Sequence, residues 1–147
     1  MDVKRISASD TYKIRQMLLR ATGTVEDCHF KDDDKDQTFH LGAFEEGKLV
    51  SVASFYFENH LNHKDEFEYQ YRLRGMATLP EVQGKGHSSS LLKTAFPIIA
   101  QNQCHFLWCN ARTSAQGFYE KVGFQSSGKT FNIESIGPHI LMHINIK

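Results

Sequence analysis

An excess of charge of either sign is missing: 17 Lys and Arg balance 17 Asp and Glu, giving the 147-residue chain a formal net charge of zero. Nucleic acid and anionic membrane surfaces call for a basic excess or stripe, so neither is expected as a partner. Long apolar runs are missing too. Nothing approaches the ~20 residues of a membrane-spanning helix, and the start Met1-Asp2-Val3-Lys4-Arg5 is not a signal peptide, which leads to the expectation of a cytoplasmic protein. Cysteine is scarce: Cys28, Cys104 and Cys109 form an odd set without zinc spacing and read as reduced, buried thiols. Repeats and low-complexity stretches are absent, and the length suits one domain spanning residues 1–147, large enough to bury a core without staples.

What is present is a glycine loop, Gln83-Gly84-Lys85-Gly86-His87-Ser88, running into an amphipathic stretch that carries Leu91, Leu92, Ala95 and Ile99. Glycines let backbone N–H groups converge, and a helix start adds unpaired donors and the positive end of a dipole, so the outline is that of a diphosphate site. Position 79 is Leu and Gly86 follows Lys85, which excludes a Walker loop; Ser89 at the third glycine position excludes the dinucleotide fingerprint. The pattern left is Gln83-x-x-Gly86-x-Ser88, for which an ordinary helix start is the plain alternative. Upstream, Tyr69 to Leu79 alternates like a strand, which places the ligand at its carboxyl end.

In chain order, Val3–Ile6 reads as a strand, and Ser9 or Asp10 as the cap of a helix carrying Ile14, Met17 and Leu18 and closed by Gly23. The run Lys31 to Asp36 fails as a calcium loop, because Gln37 and Ala43 stand where Gly and Glu are required, and reads as a solvated loop. Thr38–Phe44 and Leu49–Phe57 form a hairpin through Glu45-Glu46-Gly47-Lys48. His60 and His63 lack a third metal ligand nearby, so no metal is expected. A helix from His87 to Gln101 contains Pro97, expected to kink or loosen it. A strand from His105 to Ala111, a helix capped by Ser114 and ended by Gly123, and strands Phe124–Ile133 and His139–Ile146 complete an α/β chain with a mixed sheet and helices on both faces.

The glycine loop followed by Ala115-x-x-Phe118-Tyr119-Glu120-Lys121-x-Gly123-Phe124, within this alternation of strands and helices, resembles the GCN5-related N-acetyltransferase (GNAT) superfamily over essentially the whole chain. Ile136-Gly137-Pro138-His139-x-x-Met142 is also similar to the ElaA-like type. The resemblance implies the GNAT fold, acetyl-coenzyme A (acetyl-CoA) as co-substrate and a small-molecule or peptide amine as acceptor, by direct attack in a ternary complex. Gln83, Gly84, Lys85, Gly86, His87 and Ser88 then cradle the pyrophosphate, the backbone of Met76, Ala77 and Thr78 pairs with the pantetheine arm, and Tyr119 protonates the departing thiolate. A phenol of pKa ~10 is close to matched with a thiol. Ser88 replaces the family's usual small Gly or Ala, and Arg112 stands where an Asn often holds the coenzyme; whether Arg112 or Asn110 takes that role is open. A homodimer is compatible with the sequence.

A non-catalytic acyl-CoA-binding regulatory module is the competing reading, and Tyr119 discriminates, since a binding module has no use for a phenol at the sulfur. A ping-pong route through Cys109 is disfavoured, because cysteines in apolar strands are usually inert packing. The base is not marked; among the histidines His139, just before the last strand, is the best placed. On the acceptor side, strand alternation puts Glu66, Glu68, Gln70, Arg72 and Arg74 on one face. That row is either a structural ion-pair ladder or a wet cleft, in which Arg72 and Arg74 hold an acceptor carboxylate and Glu68 orients or deprotonates the amine.

Overall fold

The computed structural model describes residues 1–19, 23–24, 26–61, 69–134 and 136–146. Its elements are β1 (Asp2–Ile6), α1 (Ala8–Leu18), β2 (Phe39–Glu45), β3 (Lys48–Phe57), β4 (Tyr71–Thr78), α2 (His87–Gln101), β5 (Phe106–Arg112), α3 (Gln116–Val122), β6 (Gln125–Ile133) and β7 (Gly137–Asn145). The strands form one mixed seven-stranded sheet in the order β1-β2-β3-β4-β5-β7-β6. The β4–β5 pairing at Tyr71↔Leu107 and Arg72↔Trp108 is parallel; β1–β2, β2–β3, β5–β7 and β6–β7 are antiparallel. By its contacts the chain divides into two compact units, Met1–Phe57 with Leu73–Ile98, and Glu58–Arg72 with Ile99–Lys147.

In the first unit, α1 is capped by Ser7, not by Ser9 or Asp10. Ser7 Oγ accepts from the Asp10 N–H while the Asp10 carboxylate accepts from the Ser7 N–H, a capping box that satisfies two donors at once. The helix stops at Leu18, well before Gly23. Ile14 packs with Val50, Val52, Ala77 and Leu79 in an apolar cluster of this unit. The hairpin between β2 and β3 turns through Glu46 (φ 49°) and Gly47 (φ 80°), the left-handed pair that two-residue hairpins require. Leu79 N–H donates to Val50 O and Ser51 Oγ to Ala77 O, so β3 runs against β4. Helix α2 continues through the exposed Pro97 to Gln101.

In the second unit, Phe106, Trp108 and Leu141 form an apolar cluster. Helix α3 is preceded by a 3₁₀ turn over Thr113–Ala115, and its N-cap is Ala115, without a side-chain cap from Ser114. It ends as expected at Gly123 (φ 111°), where the Gly123 N–H donates to Glu120 O and the Phe124 N–H to Tyr119 O.

Candidate active site

The glycine loop and its anchors lie in the first unit. Gly84 (φ 80°) and Gly86 (φ 89°) are both left-handed, and a Cβ built on either meets nothing within 4 Å. The space beside both glycines is therefore open at the start of α2, where a helix has unpaired N–H donors, which fits a diphosphate. Thr78 holds the loop from below: its hydroxyl bonds Ser88 Oγ at 2.8 Å and Ser51 Oγ at 2.6 Å, and its carbonyl accepts from Gln83 Nε2 at 3.1 Å. The Ser88 hydroxyl is thus engaged with Thr78. The His87 side chain is buried, with Nε2 on Glu45 Oε1 at 2.8 Å, so this residue tethers α2 to β2 and offers the loop only its backbone. Lys85 is exposed.

Just upstream, β4 departs from regular strand geometry at Gly75 (φ 64°), where a Cβ would lie 3.1 Å from the Phe30 ring and 3.4 Å from Arg15 Nε. Met76 and Thr78, beyond this kink, are half-buried and Ala77 is buried. Arg15 anchors a buried polar network that sequence reading missed. Its Nη1 donates to Asp33 and to Cys28 O, its Nη2 to Asp33, Ser54 Oγ and Tyr56 Oη, and its plane stacks on Phe30 at 4.0 Å. Asp33 belongs to the run read as a solvated loop, yet it is only 3 % exposed. Burial pushes its carboxyl up, but hydrogen bonds from Arg15, Tyr56 and the Phe30 N–H outweigh that and hold it below the usual range. Arg74 stacks over Phe30 at 4.8 Å and Tyr56 at 5.8 Å.

Tyr119 lies in the second unit, buried edge-on between Phe118 and Phe124, with its hydroxyl on the Cys109 thiol. Burial and then the Cys109 interaction raise the phenol well above its ordinary range, so it stays protonated at every working pH, though the acidity match expected from sequence is loosened. Burial likewise pushes the Cys109 thiol up to about 12, the opposite of what an acyl carrier needs.

Side chains alternate along β5, so Trp108 faces away from Cys109. On its side, Arg72 stacks over the indole at 4.8 Å and its Nη1 donates to Glu58 Oε2 at 3.0 Å. His139, paired in register with Arg112, is buried; its Nδ1 must donate to Gly137 O (2.8 Å), because a carbonyl can only accept. In the neutral ring this bond leaves the lone pair on Nε2. Asn110 is half-buried and Arg112 exposed. Strand β4 runs from Tyr71, and of the expected row it carries Arg72 and Arg74 among the described residues. Gln70, just before it, is buried, accepting from the His60 N–H at 2.8 Å, and Glu66 and Glu68 lie outside the described residues. Among the described residues no His, Cys, Asp and Glu side chains gather as a metal site, and no helix is long and apolar enough to cross a membrane.

Glu58 and Trp108 were not singled out by sequence, since a Glu closing a strand and a lone Trp carry no spacing signal. Only the fold shows that Trp108 Nε1 donates to Glu58 O at 2.9 Å.

The acetyltransferase (GNAT) family matches residues 4–124. Over all 147 residues the chain is 39% identical to an uncharacterized N-acetyltransferase, YitI, of Bacillus subtilis, covering 97% of that protein. Among solved structures it resembles an aminoglycoside 6'-N-acetyltransferase complexed with coenzyme A (TM-score 0.79, 10% identity, 100% of this chain and 98% of that one). Escherichia coli ElaA is similar too (TM-score 0.72, 15% identity, 98% and 99%). With more than half its length matched and the expected mixed sheet in place, the chain belongs to the GNAT family of acetyltransferases.

Proposed function

We propose that this protein is an acetyl-CoA-dependent N-acetyltransferase acting on a primary amine of a small molecule or peptide by direct attack. The observation that carries the reading is the open, doubly left-handed loop at the start of a 15-residue helix, held in shape by Thr78. On this reading Gln83 to Ser88 hold the diphosphate through backbone N–H groups, and the backbone of Met76 to Thr78 holds the pantetheine arm. Asn110 and Arg112 add polar contacts to the coenzyme. Bound acetyl-CoA supplies the acetyl group as a thioester, whose C–S bond breaks as the C–N bond to the acceptor forms.

Tyr119 gives its proton to the sulfur, and His139 Nε2 takes one from the amine. Glu68 remains an acceptor-side assignment. Arg72 and Arg74 hold an acceptor carboxylate. The coenzyme assignment is tested by Gly86→Glu: free space surrounds the glycine, but its φ of 89° disfavours any side chain, and a carboxylate there opposes a diphosphate. Calorimetry is expected to show lost acetyl-CoA binding, and unchanged affinity would refute the loop assignment. For Tyr119→Phe, kcat is expected to fall roughly ten- to a thousandfold, with coenzyme affinity nearly unchanged. An undiminished kcat, with chemistry rate-limiting, would leave Tyr119 a packing residue, whereas a wild type that binds acetyl-CoA and turns over no amine would favour the non-catalytic binding module.

A further inference from the structure

The Glu58–Arg72 pair is incompletely used. Arg72 spends Nη1 on Glu58 Oε2, and its Nε, shielded from solvent, has no acceptor. Nε and Nη2 form the side edge of a guanidinium, the edge that takes a carboxylate through two parallel bonds. The indole of Trp108 supports the plane of that guanidinium. Glu58 is fixed through its own backbone, its N–H donating to Gln70 O at 3.1 Å and its carbonyl accepting from Trp108 Nε1 at 2.9 Å. Its side chain is 39% exposed, and among the described residues only Oε2 is bonded. Anion and cation thus stand side by side, each with an unused hydrogen-bonding edge, that of Arg72 including the shielded Nε.

Resting on the acetyltransferase reading, we propose that Glu58 and Arg72 clamp the zwitterionic head of an amino acid, Arg72 taking its carboxylate and Glu58 its α-ammonium. Trp108 and Arg112 point to the same face of β5 and are about 13 Å apart along it at the usual rise per residue; Arg112 is in register with His139. An α-amine held at Glu58 is remote from His139. The reacting amine is therefore a distal one, and the acceptor class is a diamino acid.

The test uses the full-length protein with acetyl-CoA and three probes: lysine, 6-aminohexanoate, which lacks the α-ammonium, and cadaverine, which lacks the carboxylate. Wild type is expected to acetylate lysine on its side-chain nitrogen, with the lowest KM of the three. Glu58→Gln is expected to raise the lysine KM about tenfold or more while leaving 6-aminohexanoate unaffected, about the loss for one charge-assisted contact. Arg72→Gln is expected to raise KM for both carboxylates and spare cadaverine. Because the probes are compared within each variant, a general loss of folded protein cannot imitate these patterns. Equal effects of Glu58→Gln on lysine and 6-aminohexanoate, or a wild type that binds acetyl-CoA in calorimetry yet acetylates none of the probes, would overturn the clamp. Absence of acetyl-CoA binding would instead overturn the acetyltransferase reading beneath it.

Discussion

Two arginine–carboxylate pairs, one in each unit, use the same chemistry to opposite ends. Arg15 is fully buried, both of its Nη atoms are saturated and only its Nε lacks an acceptor, and Asp33 accepts from Tyr56 and the Phe30 N–H as well. Arg72 is 22% exposed and makes one hydrogen bond. A charge pair enclosed on all sides costs much to desolvate and returns stability only when every lone pair is matched; a pair with open edges adds little stability and can receive a ligand. Depth of burial and the number of bonds made, more than the presence of an ion pair, separate scaffold from site.

The largest effect that follows is on stability. Asp33→Ala leaves a buried, unpaired guanidinium, and denaturant unfolding is expected to show a loss of about 3–5 kcal/mol. A loss below 1 kcal/mol would erase the contrast with Arg72.

Acid gives a second, intermediate effect. His40 Nε2 donates to Asp33 O, and Nδ1 accepts from Ser54, whose oxygen in turn accepts from Arg15. Burial holds the His40 pKa below its ordinary value despite Asp33, so the folded state resists a proton that the unfolded chain takes up near pH 6.5. Its share of stability is complete above that pH and declines as pH falls toward the folded pKa. The share of Asp33, also depressed, is complete above about pH 4 and lost below it. The melting temperature is expected to drop between pH 7 and 5, and less so in His40→Gln; equal slopes would exclude His40.

The smallest effect is expected for Arg72→Gln, whose unfolding free energy should change by less than about 1 kcal/mol after solvent screening. A loss as large as that of Asp33→Ala would make Arg72 scaffold and close the acceptor cleft.

These pairs also mark the limit of what the sequence discloses. The glycine loop, the hairpin turn at Glu46-Gly47 and the Gly123 cap are local, written in adjacent residues whose backbone needs are visible in their chemistry. Arg15 and Asp33 are joined across 18 positions, and Glu58 and Arg72 across 14. No local pattern distinguishes such residues from surface charges, so Asp33 looked like one more member of a solvated run. His87 shows the same limit inside a legible motif: its place in the loop is readable, its turn inward to Glu45 is not. The start of α1 misled for a different reason, since Ser7, Ser9 and Asp10 are all good caps and only the reciprocal pairing selects Ser7.

The Cys109 thiol beside Tyr119 bears on how this protein ages under oxidants. Peroxide attacks the thiolate, and Cys109 is protonated at any cellular pH; Cys28 and Cys104 are buried as well. Oxidative damage is accordingly directed to thioethers instead, first to Met1 and Met17, which are 53% and 52% exposed. Both lie outside the proposed coenzyme and acceptor residues. Mild peroxide should then mark the protein with sulfoxides while sparing the cysteine that touches its proposed acid.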